Sequence, residues 1–186
     1  MHSKQFLKRF AELCLTRDFA GKIELMARLI HKAQRVFVIG LGGSAANASH
    51  AVNDLRKLCQ IEAHCPTDNV AEFSARINDD PITDIFVGWM RVLNFNWRDC
   101  LLVFSVGGGT NSVSVPITEA VLEAARIKAP IIGVVGSLGG IAFQKGDCVI
   151  RIPEKHSPTP YTEAMQMVVL HCLVSHPLLQ KAKTKW

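Results

Sequence analysis

The stretch Val36–Lys57, VFVIGLGGSAANASHAVNDLRK, decides the fold. It opens on a short apolar run and turns through Gly40, Gly42 and Gly43. It then meets Ser44 and continues with helical patterning that carries His50 and Asp54. An apolar run too short for a buried helix and closed by glycines reads as a strand, RVFVIG (35–40). The helix that follows is expected from Ser44 to about Leu58.

The same syntax recurs downstream. DCLLVFSV (99–106) is a strongly apolar strand that runs into GGGTNS (107–112), with a helix from Pro116 to Lys128. APIIGVVG (129–136) is a strand ending in SLGG (137–140), and CVIRIP (148–153) is another. QIEAHC (60–65) reads as a further strand. Helices are expected over 70–77, over 82–92, and from Tyr161 to Val174, where His176-Pro177 ends the last one. A loop with three prolines precedes it. Upstream, Phe6, Phe10, Leu13, Ile23, Met26, Leu29 and Ile30 fall at helical spacing. They predict two helices, or one bent helix, broken near Arg17–Gly21.

Apolar strands alternating with amphipathic helices predict an α/β fold: a three-layer, doubly wound sandwich with a mainly parallel sheet, the N-terminal helices packed on it. Ligands of such sheets bind outside the carboxyl ends of the strands, where both glycine-rich loops lie.

The bulk numbers fit one folded domain. The chain has 186 residues, 48% hydrophobic and 20% charged. Its formal net charge of +5 is scattered, which favours anionic metabolites. No basic-plus-aromatic stripe appears, so nucleic acid is not an expected partner. The six cysteines form no C-x-x-C pair and sit in apolar stretches, the pattern of reduced buried thiols. MHSKQFLKRFAELCL carries charge throughout and lacks a signal-peptide core. No apolar run is long enough to span a bilayer. A soluble cytoplasmic protein is expected.

Glycines let a backbone approach an anion closely, and a helix N-terminus offers free N–H groups. Each loop therefore reads as a phosphate cradle, or else as a plain tight turn. Gly40-Leu41-Gly42-Gly43-Ser44-Ala45 also satisfies G-x-G-x-x-G/A, and Glu62 follows at the distance of a ribose-binding acid. That is a dinucleotide reading. Against it stands the second loop, Ser105–Ser112, equally rich in glycine and hydroxyls, which a dinucleotide site does not need. Two such loops on one rim suit a phosphosugar better, and no nucleotide cofactor is expected.

Strand–GxGGS–helix, followed by strand–Ser–glycine/hydroxyl loop–helix, resembles the sugar isomerase (SIS) domain, a flavodoxin-like fold. Within it the sequence is most similar to the phosphoheptose isomerases. SAANASH (44–50) is also similar to the DnaA initiator-associating protein, a non-catalytic relative. The resemblance runs over nearly the whole chain. It implies a single SIS domain over 1–186, with 1–34 as a helical oligomerisation segment and 35–186 as the α/β core. Family members carry His-x-x-x-Glu after the first loop and Gln-x7-His on the last helix. Here these read His50…Asp54 and Glu163…His171, so Asp replaces Glu and Glu replaces Gln. The family's Ser-Thr-Ser-Gly-Asn-Ser loop becomes the longer Ser105–Ser112.

By that resemblance Asp54, His171 and Glu163 are the catalytic candidates. His50, Asp54, Glu163 and His171 are the metal candidates, for Zn2+. Substrate and phosphate fall to Gly42, Gly43, Ser44, Asn47, Asn78, Asp79, Ser105, Gly107, Gly108, Thr110 and Ser112. A homo-oligomer is implied, dimer or tetramer, with the site at a subunit interface.

The chemistry also stands on the residues. His50 and Asp54, four apart, share a helix face. Glu163 and His171, eight apart, face broadly the same way. Two imidazoles and two carboxylates suit zinc. The bland readings are an exposed helical ion pair and a core histidine. The implied reaction is aldose–ketose isomerisation of sedoheptulose 7-phosphate to D-glycero-D-manno-heptose 7-phosphate, feeding heptose, lipopolysaccharide or capsule synthesis. Asp54 is the base and His171 the acid, with His50 and Glu163 positioning metal or substrate; alternatively Glu163 is the base. The competing function is a non-catalytic sugar-phosphate-binding or protein-binding regulatory module. His64 and His156 are loop histidines that can line the rim.

Overall fold

The computed structural model describes residues 1–153 and 158–183. Five strands, β1 (Val36–Ile39), β2 (Ala63–His64), β3 (Cys100–Ser105), β4 (Ile131–Val135) and β5 (Cys148–Arg151), form one sheet. Every pairing is parallel and the order is β2-β1-β3-β4-β5. The chain leaves β1 for β2 and returns on the other side to β3. The topological switch point therefore lies between β1 and β3, and both glycine-rich loops leave the sheet there.

Among the described residues eight α-helices flank or connect the strands: α1 (His2–Cys14), α2 (Arg17–Lys32), α3 (Gly43–Cys59), α4 (Val70–Asp79), α5 (Ile85–Val92), α6 (Val115–Arg126), α7 (Gly140–Lys145) and α8 (Pro158–Val174). On one face α2, α3 and α8 pack over Val36, Val38, Leu102, Phe104 and Val134. On the other, α5, α6 and α7 pack over Phe37, Ile39, Leu101, Val103 and Val135. Alternate strand residues thus serve two cores, which is why the strands read as unbroken apolar runs.

Several boundaries differ from the sequence reading, and four differences matter most. The break between α1 and α2 falls at Leu15–Thr16, before the predicted span, because the Thr16 hydroxyl caps α2 by accepting from the Phe19 N–H at 3.3 Å. Gly21 lies inside α2. β2 has only two residues of the six expected. The SLGG turn starts a short helix, α7, that its glycines had hidden. The last helix begins at Pro158, because proline is tolerated in a first turn that lacks N–H partners anyway. His156 lies outside the described residues. Phe6 and Phe10 of α1 set their rings edge-on to Tyr161 of α8, with centroids 5.1 and 5.4 Å apart. No described helix is long and apolar enough to cross a membrane.

Candidate active site

The two helices that bear the site start at the carboxyl rim and run side by side. Their alignment is read from contacts at successive levels. At the first turn of α3, the Glu163 carboxylate lies against Gly43; a Cβ on that glycine would stand 2.6 Å from both carboxylate oxygens. One turn on, Asn47 Nδ2 donates to the Glu163 carbonyl at 3.0 Å and to Gln166 Oε1 at 2.8 Å. Gln166 Nε2 in turn donates to Ser44 Oγ at 3.1 Å. Gln166 is fully buried and is the centre of this polar clamp. Beyond it, His50 meets His171.

His50, Asp54 and His171 place one ligand atom each within 4.8 Å of one another. His50 Nε2 lies 3.1 Å from Asp54 Oδ2, His171 Nε2 lies 3.3 Å from His50 Nε2, and His171 Nε2 lies 3.9 Å from Asp54 Oδ2. Asp54 is nearly buried while both imidazoles are about half exposed. Asn53 Nδ2 donates to Asp54 Oδ1 at 2.9 Å and fixes the carboxylate. With zinc bonds of about 2.0–2.1 Å at tetrahedral angles, ligand atoms stand about 3.3 Å apart. Two of the three edges, 3.1 and 3.3 Å, fit that spacing and the third, at 3.9 Å, is longer; the donor set of two nitrogens and one oxygen suits zinc.

The cluster opens into a cavity of about 650 Å³. Its other walls are Lys57, Leu58, Val174, Ser175, Gln180, Ala182 and Lys183. The tail after α8 forms one side: Leu179 is buried, and the Lys181 and Ala182 N–H groups donate to the Leu58 carbonyl at 2.8 and 2.9 Å.

The remaining candidates lie elsewhere. Glu163 is not among the clustered ligand atoms. It sits eight residues before His171, about 12 Å along the helix. Ser44 and Asn47 are engaged by Gln166. Ser105 is buried and its hydroxyl accepts from the Gly108 N–H at 3.0 Å. Thr110 Oγ1 accepts from the Val113 and Ser112 N–H groups at 2.9 and 3.4 Å. Gly108 has φ +74°, and a side chain on it would collide with the Gly139 carbonyl. Carbonyls of Gly108 and Gly109 receive the Ala142 and Ile141 N–H groups of α7 at 3.0 and 2.9 Å. The second loop is thus packed against the SLGG turn. Gly42, Gly107 and the exposed Ser112 face open space. Asn78 and Asp79 end α4, exposed, with Asn78 Nδ2 donating to Asp79 Oδ1 at 2.6 Å. His64 pairs with Glu62 at 2.8 Å, so this acid is engaged beside β2.

Gln166, Asn53, Lys57 and the tail were not among the sequence candidates. Only Gln166 left a signal: a polar residue between Met165 and Met167 on an otherwise apolar helix stretch.

No family model matches the chain. Lincomycin biosynthesis protein LmbN of Streptomyces lincolnensis is 31% identical over 181 residues, covering 87% of this chain and 64% of that protein. The chain therefore spans somewhat under two thirds of that relative. The phosphoheptose isomerase of Aromatoleum aromaticum is 27% identical over 184 residues, covering 92% of this chain and 89% of the relative. Among solved structures, phosphoheptose isomerase GmhA from Neisseria gonorrhoeae superposes with a TM-score of 0.79 over 93% of both chains, at 22% identity. The fold and the sequence agree: this chain has the fold of SIS-domain structures and is phosphoheptose-isomerase-like in sequence.

Proposed function

We propose that the chain is a phosphosugar isomerase that interconverts ketose and aldose forms of a seven-carbon sugar phosphate, sedoheptulose 7-phosphate and D-glycero-D-manno-heptose 7-phosphate. Such a product supplies heptose for lipopolysaccharide or capsule. The observation that carries this reading is the meeting of His50, Asp54 and His171 at the mouth of one cavity. Similarity to phosphoheptose isomerases supports the reaction class.

Asp54 is the base that removes the proton alpha to the carbonyl. Its Oδ1 is held by Asn53, so the carboxylate is oriented before substrate arrives. His171, half exposed in the cavity, is the acid that protonates the carbonyl oxygen as the enediol forms. Return of the proton to the neighbouring carbon completes the isomerisation. Alternatively, zinc held by His50, Asp54 and His171 would polarise the carbonyl in place of the His171 proton, with Glu163 then taking the base role. In the metal-free reading Glu163, against Gly43, has a positioning role near the first glycine turn.

A coupled assay with sedoheptulose 7-phosphate on metal-stripped protein, with and without zinc, tests the reading. Zinc-dependent product supports it; no product under either condition removes it.

The second reading is a non-catalytic sugar-phosphate-binding module. Asp54 in place of the family's Glu favours it, because the shorter side chain sets the base back from the substrate. Saturable binding without product is its signature. A relative named for lincomycin biosynthesis supports a divergent function as a further reading.

A further inference from the structure

We propose that Gln166 is a positioning residue of the site: from inside the fold it orients the Ser44 hydroxyl so that its proton is left for an anionic oxygen of the ligand at the glycine turn after β1. The inference rests on the phosphosugar reading of the site, with the ligand's phosphate at the glycine-rich loops.

Two carbonyls fix the hydrogen-bond polarity of the clamp. A backbone carbonyl only accepts, so the Asn47 group 3.0 Å from the Glu163 carbonyl is its amide nitrogen. The same nitrogen lies 2.8 Å from Gln166, which meets it with Oε1. Gln166 Nε2 is thereby turned to the Val134 carbonyl at 3.5 Å and to Ser44 Oγ at 3.1 Å. An amide nitrogen only donates, so Ser44 Oγ accepts. The serine keeps its own proton, and no hydrogen bond among the described residues uses it. Ser44 is 2% exposed and Gln166 fully buried, so the protein and not water sets this orientation.

Other donors converge on the same place. The Ala45 and Ala46 N–H groups are spent on the Gly42 carbonyl, at 3.0 and 3.4 Å. The Gly43 and Ser44 N–H groups ahead of them have no backbone acceptor among the described residues. Two main-chain donors and one hydroxyl thus stand unspent in the first turn of α3. Gly42 has open space where a side chain would be, so a ligand can come down on the turn. A residue needed only to hold α8 against α3 could be apolar, as Met165 and Val169 beside it are. A buried amide costs free energy unless its groups are satisfied. Gln166 satisfies its nitrogen partly on Ser44, and that arrangement releases the serine proton.

Gln166→Met, which keeps the length of the side chain and removes its polar atoms, is compared with Ser44→Ala, the double variant and the wild type, each checked for folding by thermal melting. Inorganic phosphate is titrated by phosphorus NMR and sedoheptulose 7-phosphate by calorimetry. Either single change should weaken both ligands about tenfold, the loss of one hydrogen bond to a charged group. The double variant should bind no more weakly than the singles, because the two residues act as one device. A merely structural Gln166 makes the two factors multiply instead. In turnover, Gln166→Met should raise KM by about the same factor and change kcat less. Where Gln166→Met does not fold, Asn47→Ala replaces it: it frees the Gln166 amide to rotate, should weaken binding in the same direction, and should add nothing on a Ser44→Ala background. Multiplying factors overturn the inference. So does a Ser44→Ala variant that binds both ligands as tightly as the wild type, or a wild type that binds neither. Coupling seen with phosphate, without binding or turnover of sedoheptulose 7-phosphate, removes the proposed substrate and leaves the role of Gln166 standing. Turnover of that sugar phosphate with multiplying factors does the reverse.

Discussion

His50 on α3 and His171 on α8 aim their Nε2 atoms at one another across 3.3 Å. Two protonated imidazoles would repel at this distance, whereas a shared metal ion or one shared proton satisfies both. The pair ties the chemistry of the site to the packing of two helices that are far apart in sequence.

Removing one member should therefore remove the metal. His171→Ala should lose stoichiometric zinc, measured by elemental analysis after dialysis. Asn53→Ala, which only loosens Asp54, should lower zinc affinity by about tenfold. Unchanged zinc content in His171→Ala would exclude the three-residue site.

Turnover should follow the same residues. Asp54→Ala/His171→Ala should lower kcat by about a hundredfold or more, as expected when acid and base are lost together. A loss of less than tenfold would sink the isomerase mechanism.

Glu163 should behave differently. It stands against Gly43 and outside the ligand cluster. Glu163→Gln should keep full zinc content while changing KM for the phosphosugar. Zinc lost from this variant would place Glu163 in the metal shell.

Gln166→Leu should destabilise the fold by about 2–3 kcal/mol, because Asn47 and Ser44 would lose buried partners. Thr162→Val should do the opposite. Among the described residues the buried Thr162 hydroxyl has no hydrogen-bond partner, so its removal should stabilise by about 1 kcal/mol. Thermal melts of both variants check the two signs.

The thiols give a pH test. Burial, with Asp54 nearby, pushes Cys59 up to about 11 from 9.0, and burial pushes the fully buried Cys100 up further. Both thiols should resist alkylation at pH 8 in the native protein and react after denaturation. A thiol that ionises more easily when unfolded contributes stability below pH 9. That stability is lost as pH rises from 9 to about 11. A midpoint of urea unfolding that stays flat over this window would contradict the shift.

Much of the fold was legible because strands buried on both faces leave unbroken apolar runs, as Val36–Ile39 and Cys100–Ser105 do. The i, i+4 spacing of His50 and Asp54 was legible for the same reason: helical geometry is local. The partner His171 was reached by resemblance, since nothing within α8 says which helix it faces. Glycines misled at one point: Gly139 and Gly140 hid α7. At Gly108 the missing side chain makes room for the Gly139 carbonyl. Close approach of two backbones and close approach of a ligand require the same residue, and only the tertiary contact separates them. The tail was invisible because its role depends on one carbonyl, that of Leu58.

Gln166 anchors α8 to Ser44 and Asn47, and His171 follows five residues later. The interval between them acts as a gauge. One residue inserted or deleted inside it would rotate His171 by about 100° and shift it by about 1.5 Å, away from His50. Descendants of this chain can lengthen the loops after β3 or before α8 and keep the cluster. They cannot change the length of this five-residue interval without giving it up.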